Sequence, residues 1–240
     1  MFYKIFFAFL LVVSGHVFSV DKALGSENWK ELFKIARQAL VDGRHGEARR
    51  LFERGINLAL REKKIDKAAD ALGDLALVYF RPGRYELAEN LLRRSVKLIQ
   101  EHNLDPTKHG GNFFKLGEVL FRQGKEESGL RLMLRGASLY KESRKIFFLV
   151  NHSTKLAKAY SLRGDLNKAE QYLKEADQTA KNDFDRNLIL YVRFLFMIEN
   201  DRTLKAQELL GNYLQMIKYQ ENKKVSWLYI IKGTLAVYYL

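Results

Sequence analysis

The chain has 240 residues, a formal net charge of +13 at pH 7 and no cysteine. The lack of cysteine excludes disulfides, cysteine nucleophiles and cysteine-ligated metal sites, so the stability must come from a packed core. Strand patterns are scarce and there are only two prolines, which favours an all-helical protein.

The first 19 residues have the layout of a secretory signal peptide. Lys4 precedes an apolar run at 5–13, and Ser19 closes a possible cleavage site. The run is short for a membrane span, because a spanning helix needs about 20 apolar residues. We therefore expect residues 1–19 to be a signal peptide and the protein to be exported to the periplasm or cell envelope. The alternative is an uncleaved membrane anchor formed by residues 1–20.

The rest of the chain is predicted to form pairs of helices joined by tight turns. Ser26 is the expected N-cap of the first helix, and the segment around Pro106 is the clearest loop. The expected helices are, in chain order, 27–41, 46–61, 66–80, 85–102, 108–123, 125–140, 145–162, 166–180, 186–199, 204–219 and 225–239. The last of them looks like the first helix of a sixth pair that has no partner.

A repeated spacing links these pairs. In the clearest copy, Ala76 precedes a turn at Pro82-Gly83, and a second small residue, Ala88, lies 12 positions after the first. The two small positions of the five copies are Ala36 and Ala48, Ala76 and Ala88, Gly117 and Gly129, Ala157 and Ala169, and, in a degraded fifth copy, Phe194 and Ala206. The second member recurs at intervals of 40, 41, 40 and 37 residues. Small residues at these places predict two antiparallel helices that approach closely.

An Ala-x₃-Phe element such as Ala48 and Phe52 is part of the tetratricopeptide signature. On these residues the chain resembles tetratricopeptide repeat (TPR) proteins from about Trp29 to Leu240, with a period of about 40 residues instead of the usual figure of about 34. The resemblance implies an all-α, right-handed solenoid of stacked antiparallel helix pairs. It also implies one domain over residues 20–240, with about five helix pairs and a final helix.

In the resembled family, the first helix of each pair lines a concave groove that receives a peptide. By register, the expected groove residues are Phe33, Arg37, Leu77, Phe80, Arg81, Phe114, Glu118, Phe121, Arg122, Lys158 and Tyr191. The apolar members would anchor a protein or peptide partner, and the basic members would favour an acidic group or a C-terminal carboxylate. For each aromatic residue, a place in the core between helices is an equally good prediction.

The sequence shows no catalytic, metal-binding or cofactor-binding pattern. No helical histidine pair, nucleophile elbow or phosphate loop occurs. His102 and His109 flank the Pro106 loop, and solvated loop histidines are the better prediction for both. The excess of positive charge is spread along the chain, which favours solvated outer faces over nucleic-acid binding. We expect no enzyme activity, no cofactor and no nucleic-acid partner.

The preferred function is therefore an exported, non-catalytic interaction scaffold that binds a peptide or protein in its groove. Two alternatives stay open. One is a structural or assembly subunit of an envelope complex that docks or oligomerises through the apolar helix at 225–239. The other is the helical-repeat part of a longer envelope enzyme that continues past Leu240.

Overall fold

A computed structural model describes residues 28–143 and 149–200, and all regular structure in these ranges is helical. The helices are α1 Trp29–Val41, α2 His45–Arg61, α3 Ile65–Phe80, α4 Tyr85–Glu101, α5 Gly110–Arg122, α6 Glu126–Glu142, α7 Leu149–Leu162, α8 Leu166–Thr179 and α9 Asp183–Glu199. A short 3₁₀ turn, Pro106–Lys108, lies between α4 and α5. The predictions for the signal segment, for helix 204–219 and for helix 225–239 lie outside the described residues.

The chain divides into two compact units after Ser143. In the first unit, α1 to α6 form three antiparallel pairs, and each helix packs against the next one along the chain. In the second unit, α7 pairs with α8, and α9 packs against both of them. The all-α prediction with adjacent packed pairs is confirmed, whereas the single domain over 20–240 stays a prediction.

In the four described pairs, a glycine in the left-handed backbone region closes the first helix. These glycines are Gly43, Gly83, Gly124 and Gly164, with φ between +77° and +81°. At Gly83 the turn has a Schellman-type closure, because the N–H of Arg84 donates to the carbonyl oxygen of Tyr79 at 2.9 Å. Residues with a Cβ rarely adopt this conformation, so glycine at this position ends the helix and reverses the chain.

The helices of the third pair cross with their backbones in contact. A Cβ added at Gly117 of α5 would lie 2.5 Å from the Gly129 carbonyl oxygen and 2.5 Å from the Met133 nitrogen of α6. The same two helices are also in contact nearer the start of α5, where a Cβ added at Gly136 of α6 would lie 2.6 Å from the Gly110 carbonyl oxygen of α5. The small residues predicted from the repeat therefore stand where no larger side chain fits.

In the four described pairs, the large apolar residue that follows the second small position is in the core. Phe52, Leu92, Met133 and Leu173 are each 2% exposed or less. Phe194, which replaces the small residue in the degraded fifth copy, is also buried, on α9 of the second unit. The repeat pattern thus identified core positions correctly even where the small residue is lost.

Helix α1 begins later than the sequence suggested. Asn28 is its N-cap, and the side-chain oxygen accepts a hydrogen bond from the backbone N–H of Lys30 at 3.0 Å. Trp29 is therefore the first helical residue and not the third, and the prediction of Ser26 as the cap is wrong. Asparagine and serine cap helices about equally well, so residue preference alone could not choose between them.

The substitution Gly117→Ala should lower the free energy of unfolding by about 2 kcal/mol, because the new methyl group overlaps backbone atoms of α6 that cannot move singly. Urea denaturation followed by circular dichroism measures the change. Gly46→Ala is the matched control, since a Cβ at Gly46 meets nothing within 4 Å. The control should leave stability unchanged or raise it by a few tenths of a kcal/mol. Equal losses at the two positions would contradict the close crossing.

Candidate functional site

One side of the first helices of the three pairs in the first unit carries mainly charged residues, and we call this surface the first-helix face. Its residues recur every three or four positions, which places them on one side of each helix. They are Lys34 and Arg37 on α1, Asp74, Leu77 and Arg81 on α3, and Lys115, Glu118 and Arg122 on α5.

The carboxylate of Asp74 joins all three helices of this face. One oxygen accepts a hydrogen bond from Nε of Arg37 at 2.9 Å, and the other accepts from Nζ of Lys115 at 3.0 Å. Burial raises the pKa of Asp74, but attraction to Lys115 and Arg37 and their hydrogen bonds outweigh it. The pKa of Asp74 therefore lies below its ordinary value, and the group is ionised at neutral pH.

The face keeps an excess of positive charge around this cluster. Arg81 is exposed, and its Nη1 donates to the Leu40 carbonyl oxygen at 3.1 Å, near the C-terminal end of α1. A carbonyl oxygen does not neutralise the guanidinium. Lys34 and Arg122 are exposed, and the described parts of the chain give neither of them an ion-pair partner.

Three apolar residues of the expected groove are half-buried in the first unit. Leu77 packs against the core of the first two pairs. Phe80 packs against the next core cluster, and its ring centroid lies 5.6 Å from that of Tyr85. Phe121 is half-buried near the end of α5. Part of each side chain is thus accessible beside the basic residues.

Two other expected groove residues belong to the core, and we correct their assignment. Phe33 and Phe114 are 3% and 1% exposed. A Cβ at Gly55 would lie 2.6 Å from the ring of Phe33, and one at Gly136 would lie 2.7 Å from Cβ of Phe114. Each phenylalanine therefore packs over a glycine of the paired helix, which turns it away from the open face.

In the second pair, polar side chains fill the space that phenylalanine fills in the first and third pairs. Gly73 stands on α3 where the first and third pairs have phenylalanine, and an added Cβ there would overlap the side-chain oxygen of Asn112. The amide of Asn112 donates to the Ala69 carbonyl oxygen at 3.1 Å and to the Ser95 hydroxyl at 2.9 Å. Ser95 in turn donates to the same carbonyl at 2.7 Å. This buried network fixes α5 against α3 and α4.

The remaining expected groove residues are half-buried. Glu118 lies on α5 of the first unit, whereas Lys158 on α7 and Tyr191 on α9 lie in the second unit. The participation of Lys158 and Tyr191 in one groove with the first-helix face stays a prediction.

The histidines beside the Pro106 loop have different environments. His102 is exposed, as predicted. His109 is 4% exposed, and its Nδ1 lies 2.7 Å from Oδ1 of Asp70. The prediction of a solvated His109 is wrong, because the 3₁₀ turn brings it to the buried start of α5. Within residues 28–143 and 149–200, no group of three metal-binding side chains occurs, and no helix is long and apolar enough to cross a bilayer.

Asp74 and Lys115 were absent from the expected groove residues, although the sequence carried a signal for them. Lys34, Asp74 and Lys115 are separated by 40 and 41 residues, the same intervals as the small residues. Alternating charge at one repeat position predicts ion pairs between successive first helices. This holds for Asp74 and Lys115, whereas on α1 the partner of Asp74 is Arg37 and not Lys34. Position in the repeat was therefore more informative than residue type alone.

Models of known families and solved structures agree with this architecture. A tetratricopeptide repeat model matches residues 31–101, and a second tetratricopeptide repeat model matches residues 154–183. A comparison with curated proteins found no match.

Two solved structures illustrate the similarity of fold. A protein of Podosopora anserina, described as a kinesin light chain with nearly identical TPR-like repeats, has a TM-score of 0.61 at 18% identity. That match covers 81% of this chain and 97% of the other. Aspartyl phosphate phosphatase F from Bacillus subtilis has a TM-score of 0.66 at 13% identity, and the match covers 84% of this chain and 50% of the phosphatase.

At these identities the solved structures show the fold alone. Together with the matched repeat models, they show that this chain carries tetratricopeptide repeats at residues 31–101 and 154–183 within a TPR-like helical fold.

Proposed function

We propose that this protein is a non-catalytic scaffold that binds an acidic peptide or protein segment on the first-helix face. TPR domains typically bind protein partners, and such repeats are generally non-catalytic. The observation that carries the proposal is the uncompensated positive charge of this face. Arg37 and Lys115 share the single carboxylate of Asp74, so this cluster alone keeps one net positive charge.

The geometry of the cluster favours recognition of a carboxylate. Asp74 holds Arg37 and Lys115 in place, so these side chains lose less rotational freedom when a ligand binds. The side chain of Arg37 is still 52% exposed, which leaves donors of its guanidinium open to an incoming anion. Lys34 and Arg122 extend the positive potential along α1 and α5.

The half-buried apolar residues supply a second element of recognition. Leu77 and Phe80 on α3 and Phe121 on α5 lie on the helices that carry these cations. Apolar contacts commonly supply affinity, whereas charges set orientation and the rate of encounter. The segment that fits best therefore has apolar residues among acidic ones.

We further propose that the protein acts in the cell envelope after export. The support is the N-terminal layout of a basic residue, an apolar run and a cleavage site ending at Ser19. An anchor formed by residues 1–20 is the alternative, and it would hold the same scaffold at the membrane.

The double substitution Lys34→Glu with Arg122→Glu should reduce capture of the native partner by about tenfold, because it replaces attraction by repulsion on the proposed face. Crosslinking in the native host followed by quantitative mass spectrometry measures the captured partner. Arg49→Glu with Arg54→Glu is the matched control, since both residues are exposed on α2 and the net charge changes equally. A partner lost equally from both variants, or from neither, would contradict the proposed face.

Asp74→Asn should lower the free energy of unfolding at pH 7 by about 1–2 kcal/mol, because Arg37 and Lys115 lose the charge that they share. The folded-state pKa of Asp74 is depressed, so this stabilisation is present above the unfolded pKa and is lost as the pH falls through the folded pKa. The difference between wild type and variant should therefore shrink below about pH 4.

Denaturation curves across this pH range test the expectation for Asp74. The control is Glu101→Gln, whose carboxylate is 54% exposed and 3.5 Å from Lys97, and which should change stability by less than about 0.5 kcal/mol. A difference between wild type and Asp74→Asn that stays constant down to pH 2 would show that the ion pairs do not stabilise the fold.

Mature protein purified from the native host should begin at Val20, because cleavage is expected after Ser19. Intact-mass spectrometry of the envelope and cytoplasmic fractions measures which residue begins the chain in each fraction. Full-length chain that begins at Met1 and is recovered only with membranes would support the anchor. Full-length chain in the cytoplasm would contradict export.

A further inference from the structure

A groove lies on the second-helix side of the first unit, away from the first-helix face. The helices α2 and α4 form its walls, and α3 forms its floor. Its volume is about 430 Å³, and the floor is apolar, with Leu72 and Leu75 buried and Tyr79 half-buried. Leu87 on α4 is one of the few large apolar residues that are clearly exposed, at 46%. A leucine-sized side chain is small enough to lie in this space.

The rim of the groove carries polar groups without intramolecular partners. Glu53 and Asn57 stand on α2, and Asn90 and Arg94 stand on α4. All four are exposed, and no hydrogen bond or ion pair to another described residue occupies their side chains. One wall therefore offers a carboxylate and an amide, and the opposite wall offers a guanidinium and an amide.

The next junction along the chain places the equivalent arginine differently. In the repeat, Arg135 on α6 corresponds to Arg94, and Phe113 on α5 corresponds to Leu72, each 41 residues later. The guanidinium of Arg135 lies 4.7 Å from the centre of the Phe113 ring. Leu72 has no ring for Arg94 to lie against, so the guanidinium of Arg94 stays available on the rim of the groove between α2 and α4.

We propose that this groove binds an extended peptide segment of a partner protein, at a site separate from the first-helix face. An apolar side chain of the peptide lies over Leu72 and Leu75 and contacts Leu87. A basic residue of the peptide pairs with Glu53, and an acidic residue pairs with Arg94. The amides of Asn57 and Asn90 each have a donor and an acceptor, as the backbone of an extended peptide requires.

The charges of the rim distinguish this occupant from others. A lipid surface or a nucleic acid would need cations on both walls, whereas Glu53 would repel phosphate groups. A helix of another protein satisfies its own backbone groups, so its backbone would not bond with Asn57 and Asn90. The opposite charges on the two walls also set one direction for the bound peptide.

A library of random linear peptides displayed on phage, selected on the purified full chain, tests the proposal. The selected peptides are expected to share an apolar residue flanked by one basic and one acidic residue. Leu87→Ser should weaken their binding about tenfold in fluorescence anisotropy, because it removes an apolar contact. Serine occupies the equivalent position 128 on α6 and Leu87 is half-exposed, so the fold is retained. Lys34→Glu with Arg122→Glu is the control and should leave this binding unchanged.

The double charge reversal Glu53→Arg with Arg94→Glu supplies a second test. It should weaken the selected peptides and restore binding to versions whose acidic and basic residues are exchanged. The proposal is overturned if selection yields no peptide, if Leu87→Ser leaves binding unchanged, or if the reversed protein does not prefer the exchanged peptides. Loss of binding only in the first-helix control would also overturn it, and would support the first-helix face instead.

Discussion

Close crossing of the two helices in each pair is the constraint on which the rest of the structure depends. The crossing positions carry alanine or glycine in four pairs, and at Gly117 even one added carbon would meet the backbone of α6. Close pairs allow successive first helices to stack within side-chain reach of one another. Asp74 can therefore bind a cation on each neighbouring first helix, and the first-helix face exists as a surface because of that spacing.

Much of the fold could be predicted because its signals are periodic and local. The left-handed turn glycines, the small crossing residues and the large core residue that follows them recur at fixed intervals, and the described helices begin and end close to their expected positions. The cap of α1 could not be chosen, since asparagine and serine have about the same preference for the N-cap position. The contact of the buried His109 with Asp70, which is 39 residues away, is not encoded by any local pattern.

The candidate site was predicted less completely because neighbouring helices, and not sequence spacing, decide which side chains are open. Phe33 and Phe114 occupy repeat positions that suggest a groove, but each faces a glycine on its paired helix and fills that space. The alternating charge of Lys34, Asp74 and Lys115 could be read from the sequence, because the three residues occupy the same position of the repeat. The groove above Leu72 could not be predicted, because no repeat position in the sequence marks the space that α2, α3 and α4 leave between them.

The central claim is that a partner binds the first helices through their excess of positive charge. Its most direct test is site-specific photocrosslinking in the native host, with a photoreactive residue at position 34 of α1 or, as the reference, at position 49 of α2. The account predicts that one partner, with acidic residues at the crosslinked segment, is captured from position 34 and not from position 49. Capture of the same partner only from position 49, or equally from both, would contradict it.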